Sequence, residues 1–170
     1  MEADFNFSNK LVYGVRMMNN VRKYGWMPEE IYSERGRMVD NGSLAKVLFY
    51  DLVRQSLLNT GLSSVDAKDC YDSAAHAIAS LVFQAFGVPE GAIEAMLTAI
   101  EEMKFFLRTA YGDSKSFAGS TIEVKFQGLC QGNKAAPAGW AVISITILYA
   151  HKKKGHGAKF VCSISALKET

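Results

Sequence analysis

Three cysteines in 170 residues, with no Cys-x-x-Cys pair among them, are too few and too scattered for a disulfide framework or a zinc site. Cys70, Cys130 and Cys162 read instead as small buried hydrophobes in a reducing compartment. The chain also lacks a long apolar run: the longest, near residues 140 to 150, carries Ser144 and Thr146 and is too short to span a bilayer. The opening Met-Glu-Ala-Asp-Phe-Asn has acids and no apolar stretch of signal-peptide length. A soluble intracellular protein, cytoplasmic or nuclear and without a membrane partner, is the expectation. Net charge is scarce as well, because 19 Lys and Arg against 17 Asp and Glu leave +2, too weak a field to argue nucleic-acid binding by itself.

Acids are missing from one region in particular. No Asp or Glu occurs between Glu123 and Glu169, while Lys125, Lys134, Lys152, Lys153, Lys154, Lys159 and Lys168 fall in or beside that stretch. The C-terminal quarter is therefore locally cationic. Lys152, Lys153 and Lys154, next to His151 and His156, either contact phosphates or form a solvated helix end whose cations meet the negative end of the dipole.

What is present is ordinary for a globular chain: 49% hydrophobic and 21% charged residues, enough to bury one core, as one domain or part of one. Trp26-Met27-Pro28-Glu29-Glu30 predicts a turn into a short helix, with Pro and acids in its first turn. Ser43 is placed to cap a helix carrying Leu44, Val47, Leu48 and Leu52, which Asn59-Thr60-Gly61 stops. Leu62 to Ala67 reads as a short strand. Ile78, Leu81, Val82, Ala85 and Phe86 mark one helical stripe, Gly87-Val88-Pro89 breaks it, and Ile93, Met96, Leu97 and Ile100 mark a second. Two strand-like runs, residues 104 to 111 and 121 to 126, flank turn chemistry and predict a β-hairpin. Residues 137 to 150 fit either period, and their length with Pro137 favours a helix; Phe160, Cys162 and Ile164 predict a closing strand.

Two clusters carry candidate chemistry. The first is Val65-Asp66-Ala67-Lys68-Asp69-Cys70-Tyr71-Asp72, and the second is Gln127-Gly128-Leu129-Cys130-Gln131-Gly132-Asn133-Lys134-Ala135-Ala136-Pro137. Taken alone, the acids of the first suit a solvated loop and a helix N-terminus, and the second suits a Gly-Asn turn ahead of a helix. Together, about sixty residues apart with two helices and a hairpin between them, they resemble the first two core motifs of reverse transcriptases, the RNA-directed DNA polymerases of eukaryotic retroelements. The first has the family's Asp, four residues, aromatic spacing; the second has its Gln-Gly, small residues and Pro leading into a helix. Phe106-Leu107-Arg108-Thr109 adds to the likeness, while Lys134 departs from it, standing where close relatives have Gly.

The resemblance implies an α+β fold, a partial palm and fingers in which a small antiparallel sheet carrying Asp66 and the final strand packs on amphipathic helices. Residues 1–60 would be fingers-like and residues 61–170 a partial palm. It implies a nucleotidyltransferase that makes DNA on an RNA template from deoxynucleoside triphosphates, with an RNA or DNA template-primer as partner and Mg²⁺ as cofactor, since hard cations clamp phosphate oxygens through carboxylates. Asp66 would be the catalytic metal ligand, helped by the Ala67 carbonyl. Asp69 and Cys70 would present backbone to the triphosphate, Tyr71 would lie under the sugar, and Gln131 with Gly132 would meet the incoming nucleotide. Arg108, Lys134 and the Lys152 to Lys154 run would touch nucleic acid, and Arg35, Arg37, Lys46 and Arg54 occupy the region that forms the fingers. His76, four residues after Asp72, suits a capping or core role better than metal binding.

The family completes its metal site with an aromatic-x-Asp-Asp strand, and this chain has no Asp after Asp113. The expectation is a fragment truncated before that motif, inactive alone and prone to self-association through an exposed sheet edge. A non-catalytic nucleic-acid-binding remnant and a plain α/β interaction domain are the alternatives that the residues leave open.

Overall fold

The protein is described by a computed structural model covering residues 3–33, 36–57, 59–61, 63–64, 66–119, 121 and 126–157. It is a mixed α+β structure, mostly helical, with two small antiparallel sheets. Contacts divide it into two units, one made of residues 1–28 and 64–146, the other of residues 29–63 and 147–170.

The first unit begins with a continuous helical rod: α1 (Ala3–Asn9), a π-helical segment (Lys10–Met17) and α2 (Met18–Lys23). Asn9, Tyr13, Met17 and Val21 are buried at four-residue steps. An α-helix turns in about 3.6 residues, so a four-residue step overshoots each turn; the wider π turn absorbs that overshoot and keeps the buried side chains on one line. No local signal in the first forty residues announces this rod.

Helices α4 (His76–Ala85) and α5 (Glu90–Glu101) form a helical hairpin. Gly87, at φ +82°, ends α4 in the left-handed conformation, with its N–H donating to Gln84 O and the Val88 N–H to Phe83 O, both at 3.0 Å. Ile93, Met96 and Ile100 of α5 are buried as their spacing predicts. On α4 the expected stripe is displaced. Ile78 and Leu81 are exposed at 57% and 68%, and the core takes Ala79, Val82 and Phe83. Phe83 meets Tyr13 edge-on at 5.1 Å, and the Tyr13 hydroxyl donates to Ala92 O at 3.0 Å, joining rod, α4 and α5 in one core. Burial pushes the Tyr13 phenol well above its ordinary range.

The expected hairpin exists in a different register. Strand β1 (Lys104–Phe105) pairs with β4 (Ala118–Gly119), and inside that pair β2 (Arg108–Thr109) meets β3 (Gly112–Asp113) around Ala110-Tyr111. The partner strands thus come from the stretch between the two apolar runs, because the bidentate Arg108–Asp113 pair, at 2.7 and 3.0 Å, favours the tighter turn. Residues 122–125 of the second run lie outside the described residues. These two-residue strands bury no side chain, so the packing of a sheet on the helices is not observed; the core is helix on helix. The strand expected at Leu62 to Ala67 is also absent from its described residues, and Asp66 therefore sits on exposed irregular chain. Shortly after it, Asp69 at φ +48° and the Asp72 and Ser73 N–H groups donating to Asp69 O at 2.8 Å close a turn.

Helix α6 (Ala136–Lys153) confirms the helix expected from Pro137. Gly139 lets it approach closely: a Cβ there would stand 2.7 Å from Leu129 Cδ1 and 3.0 Å from Phe83 Cζ.

In the second unit, α3 (Val39–Gln55) begins four residues before the expected cap, so Ser43 lies inside the helix, and Met38 precedes it without a side-chain cap. Asp40 in its first turn supplies the favourable charge at the dipole's positive end. Among the described residues the turn at residues 29–33 does not continue into a helix; Arg37 donates to the carbonyls of Glu29 and Ile31, each at 3.0 Å, and holds it closed. The Lys152 ammonium sits 2.7 Å from the Glu30 carboxylate, and its hydrogen bond holds that carboxyl below its ordinary range. The closing strand expected at Phe160 to Ile164 lies outside the described residues. No helix among the described residues is long and apolar enough to cross a membrane.

Candidate functional site

The two clusters singled out in the sequence lie side by side in the first unit. The Leu129 N–H donates to Tyr71 O at 2.6 Å and the Gly128 N–H to Ala74 O at 2.8 Å, so the second cluster runs along the end of the first. The approach is tight enough to require glycine. Gly128 has φ +91°, and a Cβ there would meet Asp72 Cα at 2.5 Å and Asp72 O at 2.6 Å.

His76, the first residue of α4, fastens this junction. Its Nε2 lies 2.8 Å from Gly128 O and its Nδ1 3.2 Å from Glu101 Oε1, so one mostly buried imidazole ties the glycine to both α4 and α5. It serves as a bridge, and among the described residues no three His, Cys, Asp or Glu side chains converge as a metal cluster.

A cavity of about 360 Å³ opens at the junction. Ile100, Phe105 and Phe126 form its apolar wall, the two rings edge-on at 5.1 Å. Asp72, Gln127, Cys130 and Gln131 supply its polar groups. Two amides, a carboxylate and aromatic faces suit a flat, partly polar ligand that offers both donors and acceptors. Burial, reinforced by the Asp72 charge, raises the Cys130 thiol above its ordinary pKa. Alkylation of Cys130 in the folded protein at pH 7.5 is therefore expected to be slower than in urea. Asp72→Asn should speed it and move its pH profile downward, because removing a neighbouring negative charge favours the thiolate. Mass-spectrometric mapping of iodoacetamide adducts reads this; an unchanged Cys130 rate in Asp72→Asn would show that the carboxylate does not face the thiol.

Of the residues expected at the site, Gln131 lines the cavity, and Gly132 follows it at φ +95°. The helix that the second cluster leads into begins at Ala136, next to Pro137 as expected. Tyr71 is half-buried and contributes its carbonyl to the junction, and Cys70 is half-buried beside it. Asp66, Ala67 and Asp69 are exposed, and none of them lines the cavity; its carboxylate is Asp72, read from the sequence only as a helix-terminus acid. Arg108 is engaged by Asp113 on the exposed hairpin, and that ion pair holds the Asp113 carboxyl below its ordinary range. Lys134 is exposed, with its backbone N–H donating to Asn6 Oδ1 at 2.8 Å. In the second unit Lys153 and Lys154 are exposed, while Lys152 is paired with Glu30.

Gln127, Cys130 and Phe126 were not assigned to a site by sequence reasoning, although two of them belong to the quoted second cluster. The signal in the sequence is Gly128 itself, a glycine between Gln127 and Cys130 that stands at a turn of positive φ. Comparison with protein-family models, with curated proteins and with solved structures returns no match for this chain.

Proposed function

We propose that this chain forms the nucleotide-facing part of a template-directed nucleotidyltransferase of the reverse-transcriptase kind, a partial palm and fingers acting on a template-primer and deoxynucleoside triphosphates. One observation carries the reading: the Asp66–Asp72 and Gln127–Pro137 clusters, named from the sequence as a pair, are joined by direct backbone hydrogen bonds around a shared cavity. The cavity's volume and its mixture of ring faces and amides suit a nucleobase and sugar. Gln131 and Gln127 would hydrogen-bond the base edge, Phe105 and Phe126 would pack on its face, and Tyr71 would lie toward the sugar.

Asp66 and the Ala67 carbonyl are oxygen donors of the type Mg²⁺ takes, and both are solvent-accessible. They would hold the ion together with the nucleotide's own phosphates, whose charge it neutralises when bound. Two protein donors are fewer than a two-metal site requires, so this chain on its own is expected not to extend a primer.

Photocrosslinking tests the reading without requiring turnover. Purified chain is mixed with poly-rA/oligo-dT, Mg²⁺ and 4-thio-dTTP and irradiated. The expected adduct lies in the peptides containing Tyr71–Ala74 or Gln127–Gln131, and Gln131→Ala lowers its yield at subsaturating nucleotide by roughly tenfold, the loss of about 1.4 kcal/mol of hydrogen bonding. Template-primer binding without an adduct at either segment would favour the non-catalytic nucleic-acid-binding alternative. Neither binding nor adduct would favour the interaction domain.

A further inference from the structure

The helical rod at residues 3–23 carries no feature that the proposed function uses, yet it is bonded to the second cluster at Gly132, Asn133 and Lys134. Asn9 and Asn133 are the buried polar side chains among the described residues, 5% and 3% exposed, and they bond each other: Asn9 Nδ2 donates to Asn133 Oδ1 at 3.1 Å. Asn133 spends the rest of its capacity on its own segment. Its Nδ2 donates to Leu129 O at 3.1 Å, and its Oδ1 also accepts the Ala135 N–H at 3.0 Å, so the side chain clasps the turn between Leu129 and the start of α6. One helical turn earlier, Asn6 brackets the same segment with both ends of its amide. Its Oδ1 accepts the Lys134 N–H at 2.8 Å and its Nδ2 donates to Gly132 O at 3.4 Å.

A buried amide pair contributes little to a core compared with two apolar side chains, but it fixes geometry, because each donor and acceptor is satisfied in only one register. The segment so fixed contains Gly132 at φ +95° and follows Cys130 at φ +62°, two left-handed positions with intrinsic freedom or strain. Left to itself such a turn has several conformations. Asn6, Asn9 and Asn133 hydrogen-bond the conformation in which Gln131 lines the cavity.

We propose that Asn6 and Asn9 are positioning residues of the site: the N-terminal rod latches the Gly132–Ala135 segment and thereby holds Gln131 in its cavity-lining conformation. The inference rests on the nucleotide reading for its consequence, and on the amide contacts alone for its mechanism.

Asn6 is the better handle, since it is only half-buried and its loss leaves the core intact. Amide hydrogen exchange is followed in the full chain for the native protein, Asn6→Ala and Asn6→Asp, with Cys130 alkylation as a second reporter and the 4-thio-dTTP adduct as a third. Asn6→Ala is expected to raise exchange at Lys134 about tenfold and to change the Cys130 alkylation rate, with the amides of Ile93 to Ile100 unaffected. Asn6→Asp keeps the acceptor and should restore protection at Lys134. The adduct yield at Gln131 should fall in Asn6→Ala and recover in part in Asn6→Asp, which keeps the acceptor for Lys134 N–H and loses the donor to Gly132 O. Unchanged Lys134 exchange in Asn6→Ala would overturn the latch, and a loosened segment with an undiminished adduct would overturn its positioning role. If the native chain gives no adduct at all, the nucleotide reading fails while exchange and alkylation still decide the latch. Asn9→Ala, which opens a buried amide, should reproduce the loosening at Ala135 if the chain remains folded by circular dichroism.

Discussion

Gly128→Ala is expected to lose roughly 2–6 kcal/mol of stability, the sum of about 1–3 for a non-glycine residue held at positive φ and about 1–3 for an atom forced into a packed contact. The contact cannot relax by a rotamer change, because the atoms that a Cβ would meet at 2.5–2.7 Å are Asp72 Cα, C and O, all backbone. Moving them means breaking the Gly128 N–H bond to Ala74 O and the His76 bond to Gly128 O, so the clash spreads into the whole junction. Against a total stability of about 5–15 kcal/mol for an ordinary domain, that is a large fraction of what holds the fold together. Urea unfolding followed by circular dichroism measures it. A midpoint within error of the native protein would mean that the two clusters do not approach as described. Gly132→Ala is the matched control, since Gly132 also has positive φ but a Cβ there meets nothing within 4 Å; it should cost only the backbone contribution, about 1–3 kcal/mol.

The second large effect is expected at Phe83. Its side chain is fully buried, lies edge-on to Tyr13 of the rod, and fits against the face of α6 that Gly139 leaves open. Phe83→Ala removes a ring from the place where three helices meet and should cost about 3–5 kcal/mol, while Phe83→Leu, which keeps most of the volume, should cost less than half as much. Neighbouring Leu81→Ala is the contrast: at 68% exposure it should change stability by no more than about 0.5 kcal/mol. The same urea titrations decide it, and equal losses at Leu81 and Phe83 would mean that α4 presents a different face to its core.

That contrast also shows where the sequence was legible and where it was not. Helix α5 has one apolar stripe with polar residues around it, and of the four residues that spacing selects Ile93, Met96 and Ile100 are buried and Leu97 is half-buried. Helix α4 is apolar on nearly every side, from Ala77 through Ala85, so several stripes fit the period equally; which one is buried is decided by Tyr13 and Gly139, distant in sequence. The hairpin was announced by its turn residues but not its register, because two-residue ladders are set by which turn closes, here the one stapled by Arg108 and Asp113. Helix α6 was legible from its length and its proline.

The candidate site divides along the same line. Its two segments and Gln131 were readable because glycine, glutamine and acid occur there in a recognisable order. Asp72 was passed over in favour of Asp66, since an acid just ahead of a helix has an adequate local explanation in the dipole, and only the fold shows that it faces Cys130 across a cavity. The asparagine latch could not be read at all. Asn9 and Asn133 lie 124 positions apart, and a buried amide leaves no periodic trace in either neighbourhood.

Nuclear Overhauser contacts between the α-protons of Gly128 and Asp72, in the isotope-labelled full chain, test the adjacency of the two clusters more directly than any variant. Strong cross-peaks between them, accompanied by slow exchange of the Gly128 and Leu129 amides, are the predicted result. Absent cross-peaks with both amides exchanging as freely as in a peptide would separate the clusters, and the shared cavity with its nucleotide would go with them.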